Sequence, residues 1–145
     1  MSPAERAAEA EKRGDRLLAQ AWDLAYERED YEGAVRLLEG FPRELRGEAI
    51  FKKIEEKLRL YHSFAGFRKR LQKALEEGKD SPALAQMIKH VEREDFDPDL
   101  DELPCVARFR KKARELVGDE RYDALELEVS GLDEVEDMQS EGIGR

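Results

Sequence analysis

The amino-acid sequence predicts an all-α protein of about six to seven helices, arranged as stacked antiparallel hairpins or as a helical bundle. Of its 145 residues, 42% are charged and 40% are apolar, with only 5 Pro and 10 Gly, a composition typical of helices with hydrated outer faces. Apolar residues recur at three- and four-residue spacing, as they do on one face of an α-helix. No run of alternating Val, Ile or Thr is long enough to predict a sheet.

Residues 1–14 are predicted to form a helix-prone extension. Ser2 suits the N-cap position, Pro3 the first helical position and Glu5 the first turn. The rest of this segment is almost entirely Ala, Glu, Lys and Arg, so it has little to bury. Gly14 is expected to weaken the helix.

Residues 15–42 are predicted to form a helical hairpin. A first amphipathic helix extends to about Arg28, a tight turn follows, and Asp30 is suited to the N-cap of the next helix. Gly40 and Pro42 end that second helix. Two helices joined by so short a turn lie antiparallel. The predicted buried positions of the second helix are Tyr31, Ala34, Val35, Leu37 and Leu38.

Further helices are predicted from the same spacing. One extends from about Arg43 to Tyr61, with a weak boundary at His62 and Ser63, and the next extends from Phe64 to Gly78. Ser81 and Pro82 begin another as N-cap and first helical residue.

The C-terminal third begins with an acidic connection, residues 92–104, in which two prolines exclude a continuous helix. Cys105–Val117 is predicted to be helical up to Gly118, and residues 119–129 form a last short helix. We therefore expect a single α-helical repeat-like domain over 15–129. Residues 130–145 are acidic with three glycines and are predicted to be a disordered tail.

The chain partly matches itself at an offset of 50 residues. Apolar residues fall on apolar residues and turn residues on turn residues. The main pairs are Ala21 with Leu71, Asp30 with Asp80, Ala34 with Leu84, Leu38 with Ile88, and Phe41 with Val91. Stacked hairpin repeats produce such a pattern, and so does chance agreement between two amphipathic hairpins.

The first hairpin resembles the tetratricopeptide repeat family. The resemblance is carried by Leu18, Ala21, Ala25, Asp30, Tyr31, Ala34, Leu37 and Leu38. In that family a tyrosine opens the second helix and a small Ala three residues later lets the two helices approach, and Tyr31 and Ala34 match these two roles. The chain departs from the family at Trp22, where a small residue is usual, at Pro42, which comes early, and at Ser81, which replaces the tyrosine in the second copy.

The resemblance covers residues 15–42 well and 64–93 less well. It implies a scaffold whose concave face binds a peptide or a partner helix, without catalysis. Trp22, Tyr31, Leu38 and Phe41 are then expected to be mostly structural.

Composition also limits the compartment and the class of partner. The longest apolar run is too short for a membrane span, and the first residues lack the apolar stretch of a signal peptide. A single cysteine favours a reducing, cytoplasmic location. The net charge of -9 argues against general nucleic-acid binding. Cys105 is expected to be a small core residue, although its basic neighbours would lower the pKa of an exposed thiol.

No catalytic, cofactor or metal motif is predicted. The alternating carboxylates from Asp95 to Glu102 lack the glycine and glutamate of an EF-hand loop in both frames. His62 and His90 share no metal-ligand spacing with each other or with Cys105. Phosphate-binding and dinucleotide glycine patterns and nucleophile elbows are missing from the sequence. We therefore predict that the protein is not an enzyme.

Charge occurs in blocks along the chain: residues 43–73 carry a net charge of +6 and residues 105–118 carry +4, between acidic segments. We predict that these basic helices contact a protein or peptide with an acidic surface. The alternative is an accessory nucleic-acid-associated protein that uses the basic faces at 52–73 and 108–114. A third interpretation is internal pairing between neighbouring helices of opposite charge. The candidate contact residues are Arg46, Lys53, Lys57, Arg68, Arg70, Arg108, Arg110, Lys111, Lys112 and Arg114.

Overall fold

A computed structural model of the chain describes residues 1–129. Within them the secondary structure is helical, without a strand, which confirms the predicted all-α class. The helices are α1 (Pro3–Trp22), α2 (Tyr31–Glu39), α3 (Ile50–Glu76), α4 (Pro82–Val91), α5 (Pro98–Asp101), α6 (Pro104–Val117) and α7 (119–129). A π-helical turn, Asp23–Glu27, follows α1, and a 3₁₀ turn, Arg43–Leu45, follows α2. The predicted tail, 130–145, lies outside the described residues.

The chain divides into two compact units. The first is Met1–Phe67 and the second begins at Arg68, within α3. The division into an extension at 1–14 and a single domain at 15–129 stays a prediction.

Helix α1 is continuous through Gly14, so this glycine does not interrupt the helix, and that it weakens the helix stays a prediction. Ser2 and Glu5 form the predicted capping box at its N-terminus. Ala10 and Gly14 are buried, and a Cβ atom built on Gly14 would lie 2.5 Å from Cγ1 of Ile50. The missing side chain is what allows α1 to approach α3 so closely.

Helix α2 begins and ends as the sequence predicts. The Asp30 carboxylate accepts a hydrogen bond from the backbone N–H of Gly33 at 2.9 Å, and Gly40 is the C-cap. The buried residues are Tyr31, Ala34, Val35 and Leu38. In the same unit, Gly14 of α1 lies against Ile50 of α3 and Tyr26 lies against Tyr61. Helices α1 and α3 therefore run in the same direction.

The helix predicted from about Arg43 to Tyr61 has the wrong boundary at each end. The helix begins at Ile50 instead of Arg43, and it continues through His62 and Ser63 without a break. The Ser63 hydroxyl donates a hydrogen bond to the Leu60 carbonyl at 2.9 Å, so this polar group has a partner within the helix. Because Tyr61 and Phe64 are both buried, the apolar face that holds the helix in place continues across the expected boundary.

In the second unit, the signals for α4 and α6 are confirmed. The Ser81 hydroxyl accepts from the backbone N–H of Leu84 at 2.9 Å, Pro104 is the first residue of α6, and Gly118 ends it with a φ of 89°. Cys105 is buried, in agreement with a core role. The core side chains are Leu71, Ala74, Leu84, Ile88, Val91, Val106, Phe109, Ala113, Tyr122, Leu125 and Val129.

Candidate functional site

Arg110, one of the predicted contact residues, is bound within the second unit. Its Nε lies 2.9 Å from Glu92, and one terminal nitrogen lies 2.7 Å from the Val91 carbonyl and 2.6 Å from Asp101. The hydroxyl of Tyr122 donates to the same Glu92 oxygen at 2.7 Å. This network joins α6 and α7 to the C-terminus of α4 and to α5. A guanidinium held by two carboxylates is poorly suited to a partner.

Arg114 and Arg46 are also engaged. One terminal nitrogen of Arg114 lies 3.0 Å from Asp123 and 3.3 Å from Asp119, and its guanidinium carbon stands 4.3 Å from the centroid of the Tyr122 ring. The Arg46 guanidinium donates to the carbonyls of Glu39 and Phe41 at 3.1–3.3 Å, where it satisfies the C-terminus of α2. These two arginines therefore have internal roles.

The other predicted contact residues are divided between the two units. Within residues 1–129 we find no ion pair to Lys53, Lys57, Lys111 or Lys112, whereas Arg68, Arg70 and Arg108 have interactions of their own. Lys53 and Lys57 belong to the first unit, and Lys111 and Lys112 are exposed residues of the second.

The feature that stands out in the first unit is an exposed pair of aromatic residues. The ring centroids of Trp22 and Tyr26 lie 5.3 Å apart with an interplanar angle of 43°. Trp22 is 49% exposed and Tyr26 is 39% exposed. Trp22 is the single tryptophan of the chain.

The π-helical turn positions Tyr26. The backbone N–H of Arg28 donates to the Asp23 carbonyl at 3.2 Å, the five-residue spacing that widens a helical turn. The Tyr26 ring contacts Tyr61 and Phe64 edge-on, with centroid separations of 6.1 and 6.2 Å. Such edge-on contacts are favourable, and both supporting rings are buried. The aromatic pair therefore rests on a fixed aromatic base.

The Tyr61 hydroxyl stays neutral beneath this pair. Burial, and secondarily Tyr26, raises the pKa of Tyr61 from 10.0 to about 12. The base on which the aromatic pair rests thus carries no charge at neutral pH.

Carboxylates lie beside the pair. Asp23 follows Trp22 in the chain and Glu27 follows Tyr26, and all four side chains are exposed. Asp23 forms an ion pair with Arg28 at 3.6 Å. The last turns of α1 and of the π-helical segment contain no basic residue, and Arg28 follows as the C-cap residue, so its guanidinium is a cation at the negative end of the helix dipole.

The lysine candidates of the first unit lie along α3. Lys57 precedes Tyr61 by four residues, which places it one turn away on the same helix face. Lys53 lines a cleft of about 270 Å³ together with Glu11, Glu48 and α1 residue Ala7. Lys57 is thus one turn from the aromatic base, whereas Lys53 lies with two carboxylates in the cleft.

Sequence analysis did not identify Trp22 as a site residue but expected it, with Tyr31, Leu38 and Phe41, to be mostly structural. Tyr31, Leu38 and Phe41 are buried as expected, but Trp22 lies beside the buried face of α1. One signal was available, because Trp22 occupies a position where tetratricopeptide repeats usually have a small residue. A large aromatic residue at such a position has space only if it points outward.

Two further findings concern the described residues alone. Across residues 1–129, His, Cys, Asp and Glu side chains do not gather in groups of three or more that could hold a metal ion. None of the helices in this part of the chain combines the length and the apolar character needed to cross a membrane.

Comparison of the chain with protein-family models, with curated proteins and with solved structures finds no match in any of the three. The function of the aromatic site must therefore be inferred from its own geometry and chemistry.

Proposed function

We propose that the protein is a non-catalytic scaffold, adaptor or regulatory subunit with a tetratricopeptide-like helical fold, and that it binds another protein through the Trp22–Tyr26 pair. The observation that supports this proposal is the exposure of the only tryptophan on a base of buried aromatic rings.

An exposed, supported aromatic pair has the properties of a binding hot spot. Trp and Tyr are enriched among the residues that dominate interface energies, because each buries a large area with few rotatable bonds. The contact between the Trp22 and Tyr26 rings reduces the conformational entropy that binding would otherwise remove. Trp22 leaves about half of its surface in water. A partner that covers this side chain removes that apolar area from water, which favours binding.

The partner we propose also presents acidic groups. Lys53 and Lys57 extend from α3 in the same unit, and neither forms an ion pair within the described residues. A carboxylate of the partner would meet Lys57 one helical turn from the aromatic base.

The alternative function, association with nucleic acid, has less geometric support. Arg110 and Arg114 of the basic segment 108–114 are held by carboxylates, which leaves Lys111 and Lys112 as the exposed cations with no ion pair in residues 1–129. Binding to nucleic acid would weaken steeply with added salt, whereas an interface centred on aromatic residues would respond only modestly.

The test is capture of partners from an extract of the native host by the tagged full chain, with identification by mass spectrometry. The Trp22→Ala variant is compared with Leu127→Ala, which removes a 69% exposed apolar side chain of α7 in the second unit. We expect a set of proteins that the wild type and Leu127→Ala both retain and that Trp22→Ala loses. Circular dichroism verifies that both variants are folded. Identical partner sets for all three chains would contradict the proposal.

A further inference from the structure

We infer that the Trp22–Tyr26 pair binds a basic side chain, an arginine or a lysine, that the protein partner presents as its anchor. This inference rests on the proposed function and specifies the chemistry of the partner at that site.

The two rings offer the surface that a cation requires. An aromatic ring has a negative face, and Trp binds cations most strongly of the aromatic residues. With centroids 5.3 Å apart and planes tilted by 43°, the rings form an open angle instead of a closed stack. Because Trp22 and Tyr26 are 49% and 39% exposed, a guanidinium or ammonium group can reach them from solvent.

The charges around the rings have the sign that favours a cation. Asp23 and Glu27 each follow one of the aromatic residues, so a row of carboxylates lies next to the aromatic row around the helix. The site is also at the C-terminal end of α1 and its π-helical turn, where the helix dipole favours positive charge. The last turn itself contains no basic residue, and Arg28 is the C-cap residue that follows it.

Arg28 shows that the carboxylate row accepts a guanidinium. It pairs with Asp23 at 3.6 Å, although both side chains remain more than half exposed. A pair with that geometry contributes little to stability and can yield to a better placed cation. An apolar anchor fits less well, because it would cover the rings while excluding water from the neighbouring Glu27 carboxylate.

Lys57 adds a second requirement to the partner. It lies one turn before Tyr61 on α3, about 6 Å along the helix axis, and it forms no ion pair within the described residues. The inferred partner segment therefore carries a basic anchor and an acidic residue near it.

The test uses Trp22 as its own reporter, because the chain contains 1 Trp. Short glycine- and serine-based peptides without aromatic residues carry one anchor residue and a glutamate two positions from it, in both chain directions. The anchor is arginine, lysine, trimethyllysine, citrulline or leucine. Citrulline is the matched control for arginine because it keeps the shape and loses the charge. Tryptophan emission is measured as each peptide is added to the full-length protein.

We expect the arginine peptide to bind about two- to fivefold more tightly than the citrulline peptide, as for an exposed cation–π contact. The lysine and trimethyllysine peptides show whether an ammonium group binds as well as the guanidinium group of arginine. In Glu27→Gln the preference for arginine should fall by about half. In Glu55→Gln, which removes an exposed carboxylate of α3 in the same unit, it should be unchanged. Both substitutions are at exposed positions, so both variants are expected to fold.

Equal binding of the arginine and citrulline peptides would overturn the inference, as would tightest binding of leucine or no response of Trp22 to any peptide. Each of these results leaves the proposed function to be decided separately by the partner capture with Trp22→Ala. If Trp22→Ala loses its partners while the peptides show no charge preference, the contact surface is correct and its assigned chemistry is wrong.

Discussion

Replacing Gly14 by alanine tests the close approach of α1 to α3. In an exposed helix interior, Gly to Ala stabilises by roughly 0.5–1 kcal/mol because it removes backbone freedom from the unfolded chain. At Gly14, however, the new Cβ would lie 2.5 Å from Cγ1 and 3.2 Å from Cγ2 of Ile50. Ordinary carbon contacts are about 3.5–4.0 Å, so the two helices or the Ile50 side chain must shift by about 1 Å.

The expected magnitude follows from two opposing terms. Overpacking of a well-packed core costs about 1–3 kcal/mol, and Ile50 has little freedom to adjust because it is β-branched and largely buried. After subtraction of the helix propensity gain, Gly14→Ala should destabilise the first unit by about 1 kcal/mol. Gly66→Ala is the matched control, since Gly66 is helical, lies in the same unit and would meet nothing within 4 Å. It should stabilise by about 0.5–1 kcal/mol.

Urea unfolding followed by Trp22 fluorescence measures this difference, because Trp22 reports on the first unit. The difference between the two variants cancels the propensity term and gives the cost of the contact alone, about 1–3 kcal/mol. In an Ile50→Ala background the contacting Cγ atoms are missing, so Gly14→Ala should become stabilising. If Gly14→Ala stabilises the wild type as much as Gly66→Ala does, the described packing of α1 on α3 is incorrect.

Three other predictions concern individual polar groups. Asp30→Ala should destabilise the first unit by about 1 kcal/mol in the same unfolding assay, because its carboxylate caps α2; Asp30→Asn should retain most of that stability, and an equal loss would contradict a capping role. Tyr122→Phe should cost the second unit about 1.5 kcal/mol, measured by hydrogen exchange of α6 and α7, because its hydroxyl donates to the Glu92 carboxylate at 2.7 Å; unchanged protection would refute this. Burial raises the pKa of Tyr61 to about 12 from 10.0, so the unfolded chain releases that proton first and stability falls as pH rises between these values. Tyr61→Phe should fall less steeply across that range, and a slope equal to that of the wild type would show that Tyr61 ionises normally.

Most helix termini could be predicted from the sequence because local chemistry determines them. Ser2, Asp30 and Ser81 each satisfy a backbone N–H of the turn that follows, and this requires only residues a few positions away. The beginning of α3 is different. The 43–49 segment has helical spacing, but Arg46 folds back to the carbonyls that end α2. These hydrogen bonds depend on where the C-terminus of α2 lies in space, and the spacing of apolar residues along the sequence does not encode that position.

Two of the predicted contact arginines are engaged within the chain for a related reason. Arg110 and Arg114 lie in a dense run of positive charge, and the sequence alone cannot show that carboxylates from residues 92, 101, 119 and 123 surround them. Pairing of neighbouring helices, the third interpretation of the charge blocks, accounts for both. A charge run is therefore a weak guide to a partner surface when acidic segments flank it.

Exposure of Trp22 carries more information than those charges because no local rule requires it. An arginine can extend into solvent from almost any helix position, and its stem still covers apolar surface. A half-exposed tryptophan leaves apolar area in water at a position where alanine would satisfy the helix at least as well. A π-helical turn follows Trp22, and the Tyr26 ring contacts Tyr61 and Phe64 while 39% of Tyr26 stays exposed. The fold thus holds a half-exposed tryptophan against a second aromatic ring, and this arrangement is the basis of the proposed interface.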